Sequence, residues 1–195
     1  MSKKYYRFFG GLLQTQENWL NKMAEQGCRL ISTDKMLYEF IECDPGEFKY
    51  KIEFIGHKSA KDAQEYHNFL EDMGYKVFYK NINLNYALGK IKFRPWAEKG
   101  GRIATKSTTY NRELLVVEKE NDGKSFDLHT SFEDKEKYYR TIRNPWLSFL
   151  IIFAVLAILF HSYVYGLFAL LSFIPVIFYQ YQMKKWKKQA QAKEW

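Results

Sequence analysis

Between Pro145 and Tyr181 the chain carries no Lys, Arg, Asp or Glu. This run reads WLSFLIIFAVLAILF, then HSYVYG, then LFALLSFIPVIFYQY, and it limits what the C-terminal part can become. A single helix of about 36 residues would reach about 54 Å, against a bilayer hydrocarbon core of about 30 Å. Divided at His161 and Ser162, the run yields two helices of about 17 to 18 residues, each about 26 Å long, at the short end of what spans a membrane. The pattern predicts a transmembrane hairpin over 144–182, with helices over 145–161 and 164–181. The competing expectation is a buried hairpin in a soluble oligomer, but few core helices are apolar on every face. Pro175 is expected to kink the second helix without ending it.

The flanks suit a membrane. Trp146 stands at the entry, Tyr163 and Tyr165 at the turn, and Tyr179, Tyr181 and Trp186 at the exit, where an aromatic belt belongs. Lys135, Lys137, Arg140 and Arg143 precede the run, Lys184, Lys185, Lys187 and Lys188 follow it, and the turn holds no Lys or Arg. The positive-inside rule then places both termini in the cytoplasm, with two spans in the cell membrane. The expected membrane-interface residues are Trp146, Tyr179, Tyr181, Lys184, Lys185, Trp186, Lys187 and Lys188. The lipid bilayer is the first expected partner. Anionic lipid headgroups come next, since each Lys near an anionic leaflet contributes about 1 kcal/mol.

The remainder is a different polymer, masked by a mean hydropathy of -0.44 for the whole chain. A length of 195 residues has room for one ordinary domain, here 1–143, plus the hairpin and a basic tail over 183–195. Of the net charge of +8, the tail supplies half, so the N-terminal domain is only mildly basic. That argues against a nucleic acid partner. Two cysteines, Cys28 and Cys43, make neither a disulfide scaffold nor a four-ligand zinc site, and are expected to stay reduced in the cytosol. In MSKKYYRFFGGLLQ, Arg7 interrupts any apolar run, so no secretory signal is expected there.

Residues 4–80 read as one unit written twice. YYRFF, a helix over Thr15 to Gln26, Gly27 and CRLIS form the first; YKIEFI, a helix over Ala60 to Met73, Gly74 and YKVFY form the second. Trp19, Leu20 and Met23 stripe one helix, and Ala63, Tyr66, Leu70 and Met73 the other. Ser59 with Asp62 makes a capping box, and a glycine after each helix suits a left-handed cap. LYEFIEC and FKYKIEF alternate around Asp44-Pro45-Gly46-Glu47, a type II turn sequence. A further hairpin is expected in LLVVEKENDGKSFDLHT, turning at Asp122-Gly123. The expected fold is an α+β cytosolic domain, ferredoxin-like or a related sandwich with extra hairpins, followed by the two-helix hairpin. Between them a helix over Phe132 to Ile142, opened by Ser131 and Asp134, is expected to break at Asn144-Pro145.

Taken together, the YRFF opening, WLNKMAEQG at a helix end, ECDPGEFKY at a turn and FLEDMG-Y resemble a bacterial family catalogued as domain of unknown function 2812. The resemblance covers nearly all of the N-terminal domain. It implies a membrane-associated protein of mainly Gram-positive bacteria, often encoded beside PadR-type transcription regulators. It brings no catalytic residues and no cofactor.

One soluble segment has unusual chemistry. In GKIKFRPWAEKGGRIATKSTTYNR, seven basic residues face only Glu98. Arg94, Trp96, Lys99, Arg102 and Lys106 are the candidate ligand-binding residues, able to hold an anion by cationic contacts and free N–H groups beside Gly100-Gly101. The bland alternative is a solvated loop with a buried Trp. His57, His67, His129 and His161 show no metal-ligand spacing, and no nucleophile elbow, Walker loop or dinucleotide fingerprint occurs. The expected function is therefore a non-enzymatic regulatory or sensory accessory, whose cytosolic domain binds a larger membrane protein, a cytosolic regulator or a ligand near the inner leaflet. The alternatives are an accessory of a transport or envelope-stress system acting through the hairpin, and a membrane-tethered enzyme on an anionic substrate.

Overall fold

The computed structural model describes residues 2–82, 86–88, 91–93, 103–104, 113–126, 128 and 132–193. The chain separates into two compact units, Met1–His129 and Thr130–Trp195.

The first unit runs β1 (Lys3–Tyr6), α1 (Leu13–Glu25), β2 (Cys28–Asp34), β3 (Leu37–Glu42), β4 (Phe48–Phe54), α2 (Ala60–Asp72), β5 (Lys76–Lys80), β6 (Tyr86–Leu88), β7 (Ile91–Phe93), β8 (Ile103–Ala104) and β9 (Leu114–Glu120). Its main sheets have the orders β1-β3-β2 and β4-β9-β5, with every pairing antiparallel. In each, a strand–helix–strand unit leaves a gap between parallel strands, and a third strand fills it. The repeat expected from residues 4–80 is therefore a repeat of topology. The copies differ in how the third strand returns. In the first copy, Lys35 and Met36 suffice between β2 and β3; in the second, residues 81–113 intervene and include a small β6-β7-β8 sheet.

Local sequence explains the helices. Ser59 Oγ accepts the Asp62 N–H at 3.1 Å and starts α2. At its end Gly74, with φ 85, lets its own N–H reach Glu71 O at 2.8 Å while Tyr75 N–H reaches Leu70 O at 3.1 Å. Those two bonds close a Schellman cap. Leu114 to Val117 of β9 are fully buried, as a central strand covered on both faces requires. Alternation turns Leu115 and Val117 toward Ala63 and Leu70 of α2, in a cluster with Ile55 and Phe126. On α1, Trp19 packs edge-on against Tyr38 and Phe40 of β3 at ring distances of 4.9 and 5.7 Å.

Two expected connections differ. Asp44–Glu47 does turn, with Gly46 at φ 75 and Glu47 N–H on Asp44 O at 3.2 Å, but it joins strands of different sheets. Both sides of β3 are already taken, by β1 and β2, so β4 pairs elsewhere. Likewise Gly123 takes a positive φ of 76, yet no strand follows it among the described residues. With β4 on one edge of β9 and β5 on the other, a returning hairpin strand has nothing to pair with.

The second unit is a pair of helices, α3 (Phe132–Phe160) and α4 (Tyr163–Lys193), joined at His161 (φ 48) and Ser162. Contrary to expectation, Asn144-Pro145 does not break α3, which passes through Pro145 as α4 passes through Pro175. A proline frees only one backbone carbonyl of the preceding turn, and a long helix with a packed neighbour tolerates that loss. The basic segment expected as a tail is helical as far as Lys193. Small Ala169 and Ser172 are buried in the hairpin, and Phe153 meets Phe168 at 5.4 Å. Small residues at a helix contact let the backbones approach.

Candidate functional site

Both helices of the hairpin are long and apolar enough to cross a membrane, and only 6% and 17% of their apolar windows are buried. Ile151, Ile158, Leu159, Leu170 and Ile174 are all more than half exposed. A helix in the core of a soluble protein would hide such side chains.

The expected interface residues divide into two groups. Lys184, Lys185, Lys187 and Lys188 are exposed, Tyr181 is 65% exposed and Trp146 is half-buried. Tyr179 and Trp186 are turned inward instead, at 6% and 5% exposure. Trp186 stacks on Phe132 at 5.9 Å, with the Lys135 ammonium 4.4 Å from its ring centre. The Trp186 ring therefore joins the two helices at the hairpin's open end, and Tyr179 is buried beside Phe178.

At that end, Arg143 sits just before the uncharged run. Its Nη1 donates to Gln180 Oε1 at 2.5 Å and contacts Met183 Sδ at 3.7 Å; its Nη2 donates to Asn144 Oδ1 at 2.8 Å. All three acceptors are neutral. Arg143 Nε is shielded and has no partner among the described residues.

The anion-contact candidates Arg94, Trp96, Lys99, Arg102 and Lys106 lie outside the described residues. What is described is the neck from which their segment leaves. Glu113 N–H donates to Lys80 O at 3.3 Å, Ile55 N–H to Glu113 O at 2.9 Å, and Ile82 N–H to Glu113 Oε2 at 3.2 Å. Lys80 itself is 1% exposed. Its Nζ donates to the carbonyls of Asp34 at 2.5 Å, Lys35, and Leu37 at 3.4 Å, and lies 4.0 Å from the Tyr38 ring centre. Burial pulls its pKa down to about 7, the charge of Asp34 opposing. The lysine thus ties β5 to the β2–β3 turn, a role no sequence pattern announced.

A second buried group joins the sheets. Glu118 accepts from Arg29 Nε and Nη2 at 2.9 and 2.8 Å and from Tyr50 Oη at 2.7 Å, while Tyr50 Oη accepts the Leu30 N–H at 2.8 Å. Burial, together with the neighbouring Glu118 charge, raises the Tyr50 phenol well above its usual range. Beside it, Asn21 of α1 exchanges two bonds of 2.9 Å with the backbone of Tyr50, and Glu17 Oε2 accepts Ile52 N–H at 3.1 Å. Helix side chains thus close the outer edge of β4, which would otherwise be open to another strand.

Among the described residues, none of these charged groups lines the shallow cleft of ≈ 390 Å³ that runs beside β4, with Asn21, Glu25, Lys49, Asn121 and Lys124 in its lining. Among the described residues no three of His, Cys, Asp and Glu gather as metal ligands. Burial raises the Cys43 thiol, the opposite of nucleophile activation.

A family model described as protein of unknown function (DUF2812) matches residues 13–151. No curated protein and no solved structure matches the chain.

Proposed function

The chain belongs to the DUF2812 family of proteins of unknown function, and we propose that it is a membrane-anchored, non-enzymatic regulatory or sensory accessory. Its two apolar helices span the cell membrane with both termini in the cytoplasm, and its α+β unit binds a protein partner or ligand close to the inner leaflet. One observation carries this reading: the apolar faces of α3 and α4 are left uncovered by the protein, so hydrocarbon is the solvent that suits them. The flanks support the orientation, because exposed lysines follow the apolar part of α4 and four basic residues precede the apolar part of α3, while His161-Ser162 carries no Lys or Arg. On the cytosolic side the buried charges of the α+β unit hold sheets and edges together, which suits a binding scaffold better than an active site. The partner in this reading is a larger membrane protein or a cytosolic regulator.

Carbonate extraction tests the anchor: the full chain should remain in the membrane pellet, and its release into the wash would end this reading. A photo-crosslinking residue at Tyr6, which is 76% exposed, tests the binding role in cells. A discrete adduct that requires the hairpin is the expected outcome. A chain that cross-links to nothing from this position or from Met73, which is 53% exposed, would contradict it.

The second reading, an accessory acting within a transport or envelope-stress assembly, draws on the same uncovered apolar faces, which a larger membrane protein would cover as well as lipid does. Co-purification in mild detergent at fixed stoichiometry separates the two.

A further inference from the structure

Arg143 is the last charge before the uncharged stretch, and its place in the hairpin is unusual for an arginine. The neighbouring Arg140 has a carboxylate, Glu136 Oε1, at 2.5 Å. For Arg143 no carboxylate lies within ion-pair reach among the described residues; its hydrogen bonds go to two amide oxygens and a thioether. Gln180 and Met183 fix Nη1 from inside the hairpin. Among the described residues Nη2 is held only by the exposed amide of Asn144, and Nε, which is shielded, by nothing. Nε and Nη2 form the side-on fork of a guanidinium, the edge that matches two oxygens of a phosphate. A cation at the rim of hydrocarbon is costly unless an anion accompanies it.

From this geometry we infer that the Arg143 corner is a binding site for the phosphate of an anionic phospholipid, which completes the fork when the Asn144 side chain yields. The inference rests on the reading of the hairpin as a membrane span. Lipid is the occupant because of the site's position: Arg143 immediately precedes the uncharged run, so an anion bound there has acyl-chain surroundings on one side and water on the other. Helical spacing places Lys184 and Lys187 on the same face of α4 as Gln180, outside the fork and with no part in its selectivity. Tyr179 and Trp186 give the corner rigidity, since both are packed inside the hairpin. The lysines alone would give a diffuse attraction that salt screens; a guanidinium fork held by Gln180 gives selectivity that persists when screening is strong.

The test uses the full chain, purified in detergent, mixed with equal amounts of phosphatidylglycerol and phosphatidylcholine and read by native mass spectrometry at high ionic strength before buffer exchange. The parent should retain phosphatidylglycerol in preference, and Arg143→Gln should fall to parity between the two lipids. Replacing Lys184, Lys185, Lys187 and Lys188 together by Gln should leave the preference in place. Asn144→Asp supplies an internal carboxylate at the Nη2 position and keeps the arginine, so it should also abolish the preference should Arg143→Gln fail to fold. Parity in the parent, a preference that survives both Arg143→Gln and Asn144→Asp, or one lost only in the lysine variant would each overturn the site. Displacement of the lipid by an equal concentration of soluble glycerophosphate would overturn the lipid as its occupant. Retention in the pellet after carbonate keeps these failures distinct from failure of the anchor, which would release the whole chain.

Discussion

Replacing Tyr50 by Phe removes one oxygen and should cost far more than its size suggests. That oxygen donates to Glu118 at 2.7 Å and accepts from Leu30 N–H at 2.8 Å, in a place where Glu118 is 2% and Leu30 0% exposed. The ring stays and no methylene is lost, so the hydrophobic contribution is unchanged. What changes is that a buried carboxylate oxygen and a buried N–H both lose a partner, each costing roughly 1 to 3 kcal/mol. Arg29 still serves the other oxygen of Glu118, which keeps the sum near the lower end, about 3 kcal/mol. For a unit of this size that corresponds to a fall in midpoint on the order of 10 °C. The assay is thermal unfolding of the full chain in detergent, followed by near-ultraviolet circular dichroism, with Tyr6→Phe as the exposed control expected to stay within about 0.5 kcal/mol of the parent. If Tyr50→Phe unfolds together with Tyr6→Phe, the three-way junction of Arg29, Tyr50 and Glu118 does not hold the sheets as described.

Lys80 makes stability depend on pH in a defined window. Its folded pKa of about 7 lies below the ordinary 10.5 of an exposed lysine, so between these values the unfolded chain binds a proton that the folded chain does not, and stability rises with pH. Above about pH 10 the buried phenols of Tyr38 and Tyr50 and the half-buried phenol of Tyr66, all raised mainly by burial, reverse the trend, because the unfolded chain then loses protons first. Denaturant midpoints from pH 7 to 9.5 should therefore climb for the parent and stay flat for Lys80→Met; parallel profiles would contradict the assignment. Gly27→Ala should destabilise by about 2 kcal/mol or more, since φ is 75 and a Cβ would stand 2.8 Å from Cys43 O, whereas Gly123→Ala, at φ 76 in open space, should cost only about 1 kcal/mol. Equal midpoints for these two variants would remove the close approach of Gly27 to Cys43 as a constraint. Asn21→Ala should lower stability by about 1 to 3 kcal/mol by exposing the N–H and C=O of Tyr50, and it should promote association through the edge of β4, measured by light scattering.

The parts of this fold that were legible in the sequence are those written in local chemistry. Ser59 with Asp62, Gly74 after α2, and the alternation of β4 are signals confined to one turn or one face, and the structure places helix, cap and strand accordingly. The repeat was legible for the same reason, as strand, helix and glycine recur in order. Strand partners were not. LYEFIEC and FKYKIEF are joined by a good turn, so sequence proximity favours a hairpin, yet pairing is decided by which edges remain open. β3 fills a gap between β1 and β2, and β9 fills the matching gap although it begins about 60 residues beyond the end of β4. Asn144-Pro145 misled in another way, because the bias before proline is a local preference that two long packed helices override. Of the site, the exposed lysines and the uncharged run could be read directly. The inward turn of Tyr179 and Trp186 could not, since a belt residue and a packing residue have the same composition, and helical phase alone did not reveal the contact with Phe132. Arg143 was visible as a basic flank, but its neutral surroundings exist only once Gln180 and Met183 of α4 come alongside.

The anchored hairpin is most directly tested by cysteine accessibility in intact cells, using single cysteines at Ser2, Ser162 and Lys193 in a chain whose Cys28 and Cys43 are replaced by Ala. An impermeant thiol reagent should label position 162 alone, with positions 2 and 193 reacting only after the membrane is opened. Labelling of position 2 or 193 in sealed cells, or protection of position 162 before and its exposure after lysis, would contradict a two-span hairpin with both ends in the cytoplasm.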